Sequence, residues 1–355
     1  MSQPESNNQG MKWMMAAMVA CCAIPIAIAL SVGGGLGVFL GRSSQQTNSN
    51  PPARSTQTLS KSQTTPAKAL VSLEPAGNWR VENHVHGLAI NAKNPEIIYV
   101  ATHNGLLQGS PKGEWFWMGK QRADYMGFTA DPTNSDRFYS SGHPPTGGNL
   151  GFQVSDTQGE DWQQISLPGV DFHALAIAPS NPNIFYGWPA SGAEGLHFSE
   201  DGGKTWTQPQ MAGLADAPFG LAVDPRNPDH VFATTRTGLF ESSNRGDNWS
   251  LVLSTKDAPV VGLALLKTGN GHGDVWIPCL KANPGLYRST DNGKTWKPLG
   301  SGTQGLILQL AIASSSRAMT HPESAPSNPQ WLYAINKENE VFQSQDGGKI
   351  WTVIK

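Results

Sequence analysis

The sequence predicts an all-β protein, a six-bladed β-propeller preceded by one transmembrane helix and a disordered linker, and three observations predict it. The 355 residues include 39 Gly, 26 Pro and 12 Trp but only 15% charged residues, a composition of short strands and tight turns rather than solvated helices. A motif built on Ser, Asp, Gly and Trp recurs through the chain, its tryptophans 43 to 55 residues apart, about the length of one four-stranded unit. One uncharged run near the N-terminus is long enough to cross a bilayer. The formal net charge of −2 offers no basic footprint, so nucleic acid is excluded as a partner.

Residues 1–12 are polar and form a cytoplasmic lead, and residues 13–40, from Trp13 to Leu40, form a signal anchor. That run exceeds the core of about 7–15 apolar residues typical of a cleaved signal peptide, and no small-x-small site ends it. Pro25 and the glycines from Gly33 to Gly37 are tolerated in a span, where lipid offers the backbone no competing partner. Lys12 precedes the run while Arg42 and Arg54 follow it, so flanking charge does not set the orientation. The layout of a short lead, one span and a large domain places the propeller on the extracytoplasmic side of the cytoplasmic membrane, as a single-pass protein. Residues 41–75 are rich in Ser, Thr, Gln, Asn and Pro and form a flexible linker, leaving 76–355 for the propeller. Cys21 and Cys22 fall in the apolar run, so Cys279 stands alone and no disulfide staples the domain.

The repeat is clearest as Ser-x-Asp-x-Gly-x-Thr-Trp at Ser199 to Trp206 and again at Ser289 to Trp296. Ser344 to Trp351 carries Ile350 in the Thr place, Ser155 to Trp162 has Thr157 for Asp, Ser242 to Trp249 has Asn244, and a degenerate copy ends at Trp115. Each unit opens with an apolar strand such as His86-Gly87-Leu88-Ala89, His173-Ala174-Leu175-Ala176 or Phe219-Gly220-Leu221-Ala222. A turn then follows, as at Asn94-Pro95, Asn181-Pro182, Asn227-Pro228 and Asn328-Pro329, where Pro and Asn break pairing and set a hairpin. Within the box, short side chains bond back to the turn, Gly takes a positive φ, and Trp packs between units. Gly77 to Val81 reads as an additional outer strand with Trp79 in the box-Trp place, able to pair with the last unit and close the ring; Trp351 to Lys355 offers a competing closure.

These motifs resemble the Asp-box, or BNR, repeat from about Trp79 to Lys355. Propellers of that kind include sialidases and other glycosidases, sortilin-type receptors and photosystem II assembly factors. His84-Val85-His86-Gly87-Leu88-Ala89, Ala101 to Leu106, Ser141-Gly142-His143-Pro144 and Asp171 to Leu175 are more closely similar to exported bacterial propellers of glycosyl-hydrolase-like or sialidase-like type. The resemblance implies a propeller whose boxes lock hairpins at the rim and whose ligand lies against the loops at one face.

Aligning the repeats shows what fills those loops. Two residues before each strand start stand His84, Asp124, Asp171, Ala217, Pro259 and Leu306; at the start stand His86, Met126, His173, Phe219, Val261 and Leu308. After the second strand come His103 and His143, then Pro189 beside Trp188, Arg236, Cys279 and Asn336. Titratable groups therefore crowd the first three units, whereas apolar residues fill the matching strand starts of the last three, an asymmetry a purely structural repeat does not need. Three readings fit: histidines hydrogen-bonded in a wet channel, a transition-metal site on His86, His103, His143 and His173, or a pocket for a protein or glycan ligand lined also by His84, Tyr125, Trp188 and Arg236. His84 and His86 alternate on an extended segment, so both reach one pocket only if the strand start is irregular. His197, His230, His272 and His321 read as packing or surface residues.

A sialidase needs three arginines on the substrate carboxylate, but only Arg236 and Arg122 are well placed at the loop face, and the Arg-Ile-Pro motif that opens sialidase propellers is missing from the first unit. Sialidase activity is disfavoured. A general glycosidase needs two carboxyl groups, for which Asp124 and Asp171 are the best pair by position, with Tyr125 and Trp188 to stack on a sugar ring. The sequence therefore implies a membrane-anchored binding or assembly module working through its His/Asp face, with a glycoside hydrolase as the alternative.

Overall fold

A computed structural model describes residues 71–81, 83–267, 273–279, 285–313 and 331–355, with the side chains of 266–267 and 273–279 left aside. The chain divides into Met1–Ala67 and Lys68–Lys355, and every described residue belongs to the second unit. The cytoplasmic lead, the expected span at 13–40, the linker up to residue 70, Asn328-Pro329, His272 and His321 lie outside the described residues. Among the described residues no helix is long and apolar enough to cross a membrane.

The fold is all-β. The first sheet contains β1 (Leu73–Pro75), β2 (Val85–Ile90), β3 (Ile98–Thr102), β4 (Gly105–Gly109) and β5 (Trp115–Met118), in the order β1-β5-β4-β3-β2. Next come β6 (Asp124–Tyr125), β7 (Thr129–Ala130), β8 (Phe138–Ser140), β9 (Gly142–His143), β10 (Phe152–Ser155) and β11 (Gln163–Ser166); β7, β8, β10 and β11 form a sheet, while β6 pairs with β9. The third sheet joins β12 (Asp171–Ala178), β13 (Asn181–Ser191) and β14 (His197–Ser199), extended by a bridge from Phe198 to Thr207. The fourth joins β15 (Gly220–Val223), β16 (Val231–Thr234), β17 (Leu239–Ser242) and β18 (Ser250–Leu251). The fifth joins β19 (Ala264–Lys267), β20 (Gly273–Cys279), β21 (Gly285–Ser289) and β22 (Lys297–Pro298), and the last joins β23 (Ile307–Ile312), β24 (Leu332–Asn336), β25 (Val341–Ser344) and β26 (Thr352–Ile354).

First strands touch in the order β2, β7, β12, β15, β19, β23 and back to β2, which arranges these sheets as a propeller. Second strands such as β3, β16 and β24 are buried at every residue, because each is covered on both faces by neighbouring sheets. The boxes lock the outer turns. Ser199 Oγ accepts the Gly203 N–H at 2.9 Å, Asp201 accepts the Thr205 N–H at 2.9 Å and its hydroxyl at 2.7 Å, and Trp206 Nε1 donates to the Gly203 carbonyl at 2.9 Å. Gly203 sits at φ +80°, the left-handed region this turn requires. The same lock around Asp291, whose carboxylate accepts both the Thr295 hydroxyl and the Thr295 N–H, holds that group down to about 2. Trp206 then packs against Phe152 of the second sheet and Phe172 and Phe185 of the third, filling the space between units as expected.

The seam between first and last sheets differs from the expectation. Gly77 to Val81 is not a strand; the additional outer strand is β1, paired with β5 through Leu73↔Met118 and Pro75↔Phe116, and the last sheet supplies its own outer strand, β26. The folded region therefore reaches into the segment read as linker, because Val71 packs on the core beside Met118 and the Ser72 N–H and hydroxyl both donate to Glu160. Trp79 is buried 4.7 Å from Trp115 in a cluster with Ile98, Val100, Tyr333 and Ile335, so it joins the two sheets as a wedge. No strand is shared across the seam among the described residues. Asn339 Nδ2 donates to the carbonyls of Arg80 at 3.0 Å and Asn83 at 2.8 Å, Arg80 donates to the Ile354 carbonyl at 3.1 Å, and the Tyr333 hydroxyl donates to the Pro95 carbonyl at 2.8 Å.

Candidate functional site

The histidines of the first and third sheets owe their aim to bulges. In the β2–β3 ladder Val85 faces Thr102 and Gly87 faces Ala101, leaving His86 without a partner. In the β12–β13 ladder Phe172 faces Pro189 and Ala174 faces Trp188, leaving out His173. The same slip in the β23–β24 ladder leaves out Leu308. An extra residue in one strand bends it and re-aims its side chain. The bulge recurs in three of the six sheets, with imidazole as its occupant in the first and third and an isobutyl group in the last, while the β15–β16 and β19–β20 ladders run without one.

This irregularity is what lets His84 and His86 converge. Both lie edge-on to His103, with ring centroids 5.3 and 4.3 Å away. His103 Nδ1 lies 2.5 Å from Asp124 Oδ2, and His86 Nε2 lies 3.6 Å from Asp124 Oδ1. A second group forms around Asp171, whose Oδ2 lies 2.7 Å from His173 Nε2 and 3.2 Å from His143 Nε2. The two groups are linked by β6–β9, which pairs Asp124 with His143 directly across the ladder. Gly142 stands at φ +126° with the Asp124 carbonyl against the space a Cβ would fill, so only glycine permits that pairing.

Burial pushes the His86 imidazole down to about 3, with the neighbouring His103 adding to the effect and Asp124 opposing it; His86 is neutral at ordinary pH. Asp171 is buried, with its side chain only 2% exposed. His86 Nε2, Asp124 Oδ1 and Asp171 Oδ1 are buried and find no hydrogen-bond partner among the described residues. Donor atoms of His86, His103 and Asp124 all lie within 4.8 Å of one another, as do those of His143, His173 and Asp171.

The structure thus brings together five predicted histidines and both aspartates, but not the other predicted residues. Tyr125 is buried in the core against Trp162, 5.1 Å away, and burial pushes its phenol up to about 12, so it offers no stacking face to a ligand. Trp188 packs on the cluster of Tyr186, Leu196 and Phe240 and is only half-buried. Arg236 is tied to Asp216 at 2.9 Å in the loop of the fourth sheet. Asp216 was not anticipated; it stands one residue before the aligned position held by Ala217. The two arginines expected at the loop face, Arg236 and Arg122, pair with separate carboxylates, Asp216 and Glu74, and Arg137, Arg226 and Arg245 pair with Asp156, Asp224 and Asp229.

The BNR/Asp-box repeat model matches residues 287–298, the box of the fifth sheet. The chain is a β-propeller that carries an Asp-box repeat. Among curated proteins this propeller is similar to a probable oligoxyloglucan-reducing end-specific xyloglucanase of Neosartorya fischeri, 24% identical over 48% of this chain and 20% of that protein. It is also similar to a photosystem II assembly protein of Synechococcus sp., 24% identical over 47% of this chain and 52% of that protein. The chain therefore spans about a fifth to a half of the length of these relatives. Among solved structures an ancestral GH74 enzyme superposes with a TM-score of 0.50 at 16% identity, covering 76% of this chain and 37% of that one, a likeness of fold alone.

Proposed function

We propose that this Asp-box propeller is a six-bladed, membrane-anchored binding or assembly module on the extracytoplasmic side, which takes a protein or glycan ligand at the His/Asp face of its first three sheets. One observation carries the reading: donor atoms of His86, His103 and Asp124 lie within 4.8 Å of one another, as do those of His143, His173 and Asp171, and one two-stranded pair links the groups. An open, polar, half-buried cluster at strand starts suits recognition, since its groups are ordered by bulges before any ligand arrives.

The xyloglucanase relatives favour a second reading, glycoside hydrolysis by Asp124 and Asp171. Its weakness is local: Asp171 Oδ2 faces two imidazoles, Asp124 faces two more, and the Asp171 side chain is buried, whereas a glycosidase acid and nucleophile must both reach the substrate. The test is a binding screen of the full-length chain in detergent against arrayed glycans and peptides, run with His86→Ala and His173→Ala. Binding lost in both variants at unchanged unfolding midpoint supports the module. Binding retained in both, or hydrolysis that disappears in Asp171→Asn, overturns it.

A further inference from the structure

We propose that the two His/Asp groups are a linked pair of sites for divalent transition-metal ions, one on His86, His103 and Asp124 and the other on His143, His173 and Asp171. The proposal rests on the binding-module reading of the same face and names a chemical class that face takes. Each group supplies two imidazole nitrogens and one carboxylate oxygen, a mixed set that suits Zn²⁺ or its first-row neighbours and leaves a coordination position open.

Three details go beyond a coincidence of ligand types. The first is His143. Its Nδ1 lies 3.0 Å from the Gly148 carbonyl oxygen, which can only accept, so Nδ1 carries the proton. Its Nε2 is left facing Asp171 Oδ2, 3.2 Å away, where a cation can be shared between the imidazole and the carboxylate. A backbone carbonyl on one ring nitrogen that frees the other is how metal-binding imidazoles are oriented. The second is the trio of buried atoms without partners among the described residues, His86 Nε2, Asp124 Oδ1 and Asp171 Oδ1. Buried polar atoms left so are uncommon, and two of them, His86 Nε2 and Asp124 Oδ1, face each other 3.6 Å apart in the first group, while the third belongs to the carboxylate of the second. The third is the β6–β9 pair, which sets Asp124 of one group opposite His143 of the other. Directly opposed residues in an antiparallel pair have Cα atoms about 4.5–5.5 Å apart, so the two sites are neighbours and each feels occupancy of the other.

The test is metal stoichiometry of the full-length chain, purified in detergent, stripped with chelator and dialysed against Zn²⁺, with a hundredfold excess of Mg²⁺ as competitor. The expected result is two equivalents of Zn²⁺, undisturbed by Mg²⁺, which prefers all-oxygen shells. Asp124→Asn and Asp171→Asn each retain one equivalent, and His143→Gln, which keeps a polar side chain at the more exposed end of its group, also retains one. Unfolding midpoints of the stripped proteins show that each variant is folded. Wild type binding fewer than two equivalents, or variants that all keep two, overturns the proposal. Absence of metal together with His86-dependent glycan or peptide binding sinks the metal sites alone; two equivalents with no glycan or peptide bound sinks the module reading alone.

Discussion

Asn339 is where the ring is sewn shut, and its replacement gives a calculable loss. The residue is buried at φ +62°, and its amide donates to the Arg80 and Asn83 carbonyls across the seam. Asn339→Ala removes both donors, at about 1 kcal/mol each for a hydrogen bond lost from a buried carbonyl. It also puts alanine in the left-handed region, at about 1 kcal/mol more. The sum is about 3 kcal/mol, which at a urea slope of about 3 kcal/mol per M lowers the midpoint by about 1 M. Asn339→Asp keeps the shape and the left-handed tolerance but sets a carboxylate against two carbonyls, so it loses at least as much. Urea unfolding followed by tryptophan fluorescence reads this directly, since Trp79 and Trp115 lie in the same seam cluster. If both variants unfold within about 0.5 kcal/mol of wild type, as surface substitutions do, the seam is held by something other than these contacts.

Three further outcomes follow from named contacts. For His230, burial acts to lower the imidazole, but hydrogen bonds to Asp224 and Glu241 outweigh it and raise the group to about 9, while Asp224 is held at about 2 by His230 and Arg226 against its own burial. The His230 contribution is therefore full below pH 6.5 and lost as pH rises through 9, and the Asp224 contribution is full above pH 3.8 and lost as pH falls through 2; the unfolding free energy of His230→Gln should fall roughly 2–3 kcal/mol below wild type at pH 6 and converge with it by pH 10, whereas a gap that does not change with pH contradicts the pairing. Gly142→Ala changes no metal-ligating side chain but sets a Cβ against the Asp124 carbonyl, so it should part Asp124 from His143, weakening Zn²⁺ binding at least tenfold and lowering the urea midpoint as well; unaltered Zn²⁺ affinity in the folded variant would show that β6–β9 is not what links the groups. Ser199→Ala removes the oxygen that accepts the Gly203 N–H, and about 1–2 kcal/mol of stability should go with it, measured by thermal unfolding, with Ser199→Thr recovering part of the loss.

The propeller was legible because its locks are made of residue types with few other uses in a turn: a hydroxyl, a carboxylate, a glycine and an indole at fixed spacing. The His/Asp cluster was legible too, as a departure from the repeat, with His86 and His173 standing where Phe219, Val261 and Leu308 stand in later units. The convergence of His84 with His86 was not, because a bulge is a property of pairing and leaves no mark on the alternation of side chains. Tyr125 was misassigned for an elementary reason: it follows Asp124 in a strand, so if one side chain faces the site the next faces the core. Asp216, which holds Arg236, escaped because comparing one aligned column passes over its neighbour. Trp79 looked like a box tryptophan pairing an extra strand, but the strand lies earlier, at Leu73–Pro75, and the indole serves as a wedge.

The unity of the His/Asp face is tested most directly by the imidazole resonances of the full-length chain labelled with ¹⁵N-histidine, recorded as Zn²⁺ is added. His86, His103, His143 and His173 should shift together, while His197, packed in the third sheet, and His230, bound to Asp224 and Glu241, stay in place. Resonances that do not move, or shifts spread evenly over all the histidines, would contradict it.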